Sequence, residues 1–289
     1  MSKDVFFTSD IYDKDALIEE FLQKNSFYVP QAQQKIKKAW YFLCEKCGDR
    51  KRACGSPYYL HCLRIAYILA DGEFDEDCVC AGILHCAGKL GITDAEIAAE
   101  FGEPVSRIIA GTAKFSHLPV NSKTLHQADA IRKMLFAMAD DVRVIFVKIA
   151  DRLDRIRNIK SLEPKEQRVL ASEIIDIWAP LADRLGMQTE KNEFEDLSLK
   201  YTNPDAFQQI KAVIAQKKDE RASYLQKAVS TIQAEADKAG ISVSITSRAK
   251  HFYSIYQKMR KRNKEPGELF DLLALRVTSR RTTHRPSLA

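Results

Sequence analysis

The chain has 289 residues, 45% apolar and 29% charged, with 11 glycines and 9 prolines. That composition can fill a sizeable core, excludes a collagenous or linker-dominated chain, and at this length suggests about two domains. No apolar run reaches the roughly 18 residues that a membrane span needs. The opening Met1-Ser2-Lys3-Asp4-Val5-Phe6-Phe7 leads into charged residues rather than the apolar stretch of a leader. The expectation is a cytoplasmic protein with no membrane partner.

Lys and Arg number 45 against 39 Asp and Glu, a net of +6, and the excess is local. Residues 248–289 hold 11 basic and 3 acidic side chains, which leaves the first 247 residues at −2. Such a cationic stretch points to a polyanion: nucleotide phosphates, RNA or an anionic surface. The seven cysteines cluster at positions 44, 47, 54, 62, 78, 80 and 86. An odd number without a leader reads as reduced thiols. Cys44 and Cys47 form a Cys-x-x-Cys pair, but a structural zinc site usually needs a second short spacing, and Cys78-x-Cys80 is too tight. Small buried hydrophobes are the favoured reading of these thiols.

The dominant period is helical. Ile18, Phe21 and Leu22 recur at helix spacing, as do Ile36, Trp40, Leu43 and Cys47. Tyr59 to Ala70 and Asp77 to Leu90 read as two helices parted by Asp71-Gly72. Thr93 and Glu96 match a capping box that opens a short helix ending at Gly102. Another helix runs from about Glu103 to Ala110, followed by a loop through Pro119 to Lys123. Leu125 to Ala139 is amphipathic, with Ile131, Leu135 and Met138 on one face. Val142 to Asn158 is the most apolar helix, so its polar interruptions Lys148, Asp151 and Arg152 call for a reason. Long helices follow over Lys165–Leu185, with a kink predicted near Pro180, and over Asp219–Lys238.

The period changes after Gly240. Ile241, Val243 and Ile245 alternate with polar residues, as in a half-buried strand. A helix from about His251 to Arg262 and a second strand over Leu272–Val277 come next. The fold class expected is mainly α, with an all-helical region followed by the start of an α/β region. Two strands and one helix make no closed core by themselves, so the second region reads as cut short.

Four residues of the helical region stand out for chemistry: His61 and His85 on adjacent helices, Cys86 beside His85, and Asp151 on the apolar helix. Packed helices can converge such groups on one divalent cation. Two hydrogen-bonded histidines and an ion-paired aspartate are the alternative reading.

Several segments follow one another in a recognisable order. They are Arg52-Ala53-Cys54-Gly55-Ser56-Pro57-Tyr58-Tyr59-Leu60-His61, Leu84-His85-Cys86, Phe101-Gly102-Glu103, Arg132-Lys133-Met134-Leu135 and Lys148-Ile149-Ala150-Asp151-Arg152-Leu153. Ala179 to Gly186, Glu193 to Leu197, Arg248 to Tyr256 and Phe270 to Val277 continue the series. Together, over roughly residues 30–277, they resemble the RelA/SpoT family. The resemblance implies an HD-type helical hydrolase domain over 1–200, a helical linker over 201–240, and a nucleotidyltransferase-like synthetase region over 241–289. It implies Mn(II)-dependent removal of pyrophosphate from (p)ppGpp by the first domain. For the second it implies Mg(II)-dependent transfer of pyrophosphate from ATP to GDP or GTP.

Residue by residue, the resemblance assigns the hydrolase metal to His61, His85 and Asp151, with Cys86 where the family has an aspartate. Lys89-Leu90 stand in place of a water-activating Glu-Asp pair. Arg52 is kept for the nucleotide, Ala53 replaces a basic residue, and Asp154-Arg155 replace a His-Asn pair. Arg248, Lys250, His251 and Ser254, extended by Lys258, resemble the loop that grips ATP phosphates, and Asp271 matches a magnesium-binding aspartate. The cationic run Arg260–Lys264 reads equally well as a solvated helix end. Expected partners are GDP, GTP, ppGpp and ATP, with self-association left open. No direct nucleic-acid binding is expected, because aromatic residues for base stacking are sparse near the basic tail.

The expectation is therefore (p)ppGpp metabolism with a parental GTP pyrophosphokinase activity, a hydrolase site that has lost manganese chemistry, and an incomplete synthetase. The alternatives are an inactive (p)ppGpp-binding regulatory module and an HD-type phosphohydrolase with a different metal.

Overall fold

The computed structural model describes residues 13–52, 55–115, 141–216, 218–265, 268 and 273–279. The predicted helix over Leu125–Ala139, the loop before it, the Arg132–Leu135 segment and Asp271 lie outside the described residues. The chain divides into two compact units, Met1–Phe194 and Glu195–Ala289.

The first unit is helical. Its elements are α1 (Lys14–Lys24), α2 (Pro30–Cys47), α3 (Tyr58–Asp71), α4 (Glu76–Leu84), α5 (Ala87–Leu90), α6 (Asp94–Phe101), α7 (Glu103–Phe115) and α8 (Arg143–Arg157). After a short 3-10 turn come α9 (Pro164–Glu173), a π-helical turn over Ile174–Trp178, α10 (Ala179–Arg184) and the start of α11 (Gln188–Thr202). The apolar spacing in α2 works as read: Ile36, Trp40, Leu43 and Cys47 are all buried against α3 and α4. Thr93 and Glu96 form the expected capping box at the start of α6, and Gly102 ends that helix with φ of 91°. Asp75 caps α4 by accepting the Cys78 N–H at 2.8 Å, which satisfies an otherwise orphaned donor.

Two glycines let helices approach closely. A Cβ on Gly82 of α4 would stand 2.5 Å from Leu69 Cδ1 and 3.2 Å from Ile65 Cγ2 on α3. A Cβ on Gly111 of α7 would stand 2.5 Å from Val144 Cγ2 on α8. The first contact sets the approach of α4 to α3, and the second that of α7 to α8.

Three local readings change. The helix expected over Asp77–Leu90 breaks at His85-Cys86, where Cys86 sits at φ −90°, ψ 4° between α4 and α5. The cause lies in the side chain: His85 Nδ1 donates to the Gly82 carbonyl at 2.8 Å and competes with the backbone for that acceptor. The kink predicted near Pro180 takes the form of the π turn, in which the Ala179 N–H reaches the Ile174 carbonyl. Proline has no N–H to give the residue four positions back, and the wider turn absorbs the mismatch. The first strand starts at Val243 rather than Ile241, because the Ile241 N–H closes the preceding helix onto the Ala236 carbonyl at 2.9 Å, with Gly240 at φ 67°.

The second unit holds the end of α11, α12 (Pro204–Gln216), α13 (Lys218–Lys238), β1 (Val243–Ala249), α14 (Phe252–Arg262) and β2 (Leu273–Ser279). The strands pair antiparallel, in register from Val243 opposite Ser279 to Ala249 opposite Leu273. Leu199, Ile210 and Ile255 form its buried centre, with Phe207 stacked on Phe252 at 5.0 Å. No helix of the described residues is long and apolar enough to cross a membrane. The architecture is mainly α, as expected.

Candidate functional site

The polar interruptions of α8 have their explanation inside the first unit. His61 on α3, His85 and Cys86 at the break between α4 and α5, and Asp151 on α8 come together. One ligating atom from each of His61, His85 and Cys86 lies within 4.8 Å of the others. Asp151 Oδ1 stands 3.3 Å from His61 Nε2 and 4.0 Å from His85 Nε2, and Cys86 Sγ is 3.0 Å from His85 Nε2. Among the described residues His61, His85 and Cys86 form the one cluster of His, Cys, Asp and Glu at metal-ligand spacing, with Asp151 reaching the two imidazoles from α8. Cys44 and Cys47 are instead buried in α2, and burial pushes the Cys44 thiol up to about 12.

Each group in the cluster is held from behind. The His61 ring uses Nδ1 on Asp154 Oδ2 at 2.6 Å, and His85 uses Nδ1 on the Gly82 carbonyl, so both Nε2 atoms face inward. Asp151 Oδ2 accepts from Arg152 at 2.8 Å, which leaves Oδ1 for the centre. Arg152 is in turn fixed by Glu173 at 2.9 Å, which also accepts the Trp178 indole N–H at 2.7 Å from within the π turn. Metal-ligating histidines are oriented in this way by carboxylates and carbonyls on the far ring nitrogen.

The electrostatics are those of charges buried in pairs. Burial opposes a charge on His61, yet its hydrogen bonds to Asp151 and Asp154 outweigh that and lift its pKa to about 10. Burial likewise disfavours ionised Asp151, but His61 and Arg152 hold it well below the usual carboxylate range. A hydrogen bond from Cys62 holds the Cys86 thiol well below its ordinary value against its burial, helped by His85 and His61. Lys148 is driven down to about 8 by burial, partly offset by Asp151.

Asp154 is the residue that sequence reading misplaced. Read only as a departure from a family pattern, it is 1% exposed and accepts from His61, from Arg64 and from the Asn158 side chain. Its signal was available: Asp151 and Asp154 are three apart on one helix face, as are His61 and Arg64. Arg52 Nη1 lies 4.0 Å from the same carboxylate. Half-buried Arg155 has its pKa lowered, first by burial and then by the nearby Arg152 and Arg52, so several guanidinium groups share this end of the cluster.

Manganese is the metal expected from the resemblance, and the donor set does not suit it. Mn(II) favours oxygen donors and octahedral geometry, whereas two imidazoles, one thiolate sulfur and one carboxylate oxygen suit a softer, four-coordinate ion. The cation of Lys89 stands exposed on α5 and helps depress Lys148, so positive charge occupies the flank where a water-activating carboxylate was sought.

In the second unit, His251 precedes α14 and its Nδ1 lies 3.5 Å from Asp196 Oδ2, while Asp196 Oδ1 accepts the Tyr253 N–H at 2.9 Å. Lys258, one turn after Ser254 on α14, has its pKa lowered to about 8, chiefly by a hydrogen bond with Lys250. Arg248 lies in β1, opposite Ala274. Asp271, the expected ligand for Mg(II), is outside the described residues.

Comparison with known proteins places these features. A family model described as an HD domain matches residues 39–188, about half of the chain, and a model described as a region found in RelA/SpoT proteins matches 247–286. The guanosine-3′,5′-bis(diphosphate) 3′-pyrophosphohydrolase of Aquifex aeolicus is 34% identical over 90% of this chain and 37% of its own length. A probable enzyme of the same name from Synechocystis is 36% identical over 93% of this chain and 37% of its own. The GTP pyrophosphokinase rsh of Brucella ovis is 34% identical over 89% and 35%. The chain thus spans little more than a third of the length of these relatives. With an HD domain and a RelA/SpoT region in that order, it belongs to the RelA/SpoT family.

Proposed function

We propose that this chain serves (p)ppGpp metabolism with a helical unit that binds guanine nucleotide without the manganese-dependent hydrolysis of its relatives. The parental activity is then GTP pyrophosphokinase, with ATP as donor and GDP or GTP as acceptor, and Arg248, Lys250, His251, Ser254 and Lys258 on the donor phosphates. Asp271 would hold Mg(II) in that unit, which supplies charge neutralisation on the transferred phosphate.

One observation carries the hydrolase reading: Cys86 Sγ, 3.0 Å from His85 Nε2, stands where an oxygen donor is needed. Water activation also needs a nearby proton acceptor, and a lysine at position 89 supplies the opposite charge. What the surroundings favour is anion binding. Burial lowers the pKa of Arg155 and the nearby Arg152 and Arg52 lower it further, and a phosphate placed beside it relieves that repulsion.

The test is release of pyrophosphate from ppGpp by the purified chain with Mn(II). No release is expected from the natural sequence, and release is expected from the triple variant Cys86→Asp, Lys89→Glu, Leu90→Asp. Release by the natural sequence at the rate of an active relative overturns the reading. A phosphohydrolase with a different metal is the second reading, favoured by the orientation already imposed on all four candidate ligands. Turnover of phosphoesters with Zn(II) but not Mn(II), abolished by His85→Ala, would establish it.

A further inference from the structure

The geometry points to a closed zinc-class site of two nitrogens, one sulfur and one oxygen, made by His61 Nε2, His85 Nε2, Cys86 Sγ and Asp151 Oδ1, which pins α3, the α4–α5 break and α8 together. The inference rests on the family reading above for the metal it displaces, and on this chain's own residues for the metal it selects.

Four observations support it. A tetrahedral ion with metal–nitrogen distances of about 2.0–2.1 Å and metal–sulfur of about 2.3 Å sets its ligands roughly 3.3–3.6 Å apart. The separations here run 3.0 Å for sulfur to His85, and 3.3 and 4.0 Å for the carboxylate to the two imidazoles. The two imidazoles and the sulfur already lie within 4.8 Å of one another, and the carboxylate, in reach of both imidazoles, must swing toward the sulfur to close the shell. Second, both imidazoles are already turned, by Asp154 and by the Gly82 carbonyl, so that Nε2 faces the centre.

Third, the thiol is not an accidental neighbour. His85-Cys86 is where the α4 path breaks, and the break keeps sulfur and imidazole on one centre although they are adjacent in sequence. Fourth, Cys86 is 4% exposed and His61 2%, so the shell is shielded from bulk water. Four protein donors fill a tetrahedron, and a filled shell leaves no position for a reactive water. The exchange of an oxygen donor for sulfur thus changes both the metal class and the role, from hydrolysis to a clamp between helices.

The experiment is a titration of the full chain, stripped with chelator under reducing conditions, with Co(II). Expected are one equivalent bound, a thiolate-to-cobalt charge-transfer band in the near ultraviolet, and intense visible bands of a tetrahedral ion. Zn(II) should displace the cobalt stoichiometrically and a hundredfold excess of Mn(II) should not. Cys86→Ser should lose the ultraviolet band while Cys44→Ser retains it. A pale octahedral spectrum, displacement by Mn(II), or a band that survives Cys86→Ser overturns the inference. Should Cys86→Ser fail to fold, zinc-edge X-ray absorption on the natural chain decides: one sulfur in the shell supports the site, and none or two refute it. The readout is independent of turnover. A chain that hydrolyses ppGpp with Mn(II) and still binds zinc through Cys86 would sink the proposed function alone.

Discussion

Asp154 and His61 face each other across α8 and α3, with Oδ2 of the carboxylate 2.6 Å from Nδ1 of the imidazole and both side chains 2% exposed. Arg64 shares the carboxylate, so removing its charge strands buried His61 and half-buried Arg64 at once. Asp154→Asn should lower stability by about 3 kcal/mol, the scale of losing one partner from a buried pair. It should also weaken cation binding at His61 Nε2 by roughly 10–100-fold, as loss of a second-sphere partner does. Urea unfolding checks the first effect and competition against a chelating dye the second. A variant with natural cation affinity would show that Asp154 has no orienting role.

Much of this arrangement was legible in the sequence. Apolar spacing predicts α2 and α8, and Thr93 with Glu96 predicts the start of α6, because those signals are local and need no partner. The convergence of His61, His85 and Asp151 was legible as a candidate because ionisable side chains on apolar helices require company. What stayed hidden depends on contacts between elements. His85 breaks its own helix by taking the Gly82 carbonyl, and Asp154 becomes an orienting group only once α3 lies against α8. The π turn before Pro180 is a third case, since a proline announces a disturbance and leaves its form to the packing around Trp178 and Glu173.

Gly82 keeps α3 and α4 close enough for His61 and His85 to share a centre. Gly82→Ala puts a methyl group 2.5 Å from Leu69 Cδ1, and overpacking of this kind costs about 1–3 kcal/mol. Because the clash is with one side-chain end, Leu69→Ala should be less damaging in the Gly82→Ala background than alone. A double-mutant cycle by chemical unfolding measures that coupling. Strict additivity would mean that the helices shift apart instead.

Acid should loosen the entry to α8. Arg143 binds Asp141 at 2.7 Å and Asp75, the cap of α4, at 3.1 Å, tying the starts of two helices. The hydrogen bond from Arg143 lowers the pKa of folded Asp141 below its ordinary value, so the unfolded chain takes up that proton first. The resulting stabilisation is complete above pH 3.8 and is withdrawn as pH falls through the lower folded value. Asp141→Asn should be less stable than the natural chain at pH 6, and the gap should narrow as pH falls below 3.8. Urea midpoints across that range check it, and a gap that persists in acid would assign the effect to packing.

In the second unit the proposed reading puts Lys250 and Lys258 on the donor phosphates. The neighbouring Lys250 holds half-buried Lys258 down to about 8. Two ammonium groups brought together gain most from a ligand that carries charge for both, and pyrophosphate or the ATP tail is such a ligand. Lys258→Met should therefore weaken ATP binding severalfold, and the loss should shrink as salt rises because exposed charges are screened. The sign of the pH effect follows from the lowered pKa: between pH 7 and 9 the free chain gives up the Lys258 proton, and a bound polyphosphate restores it. Calorimetric titration of ATP in two buffers of different ionisation enthalpy should then record proton uptake near pH 8 by the natural chain and less uptake by Lys258→Met. Equal uptake by both would place the phosphate elsewhere on the cationic surface of α14.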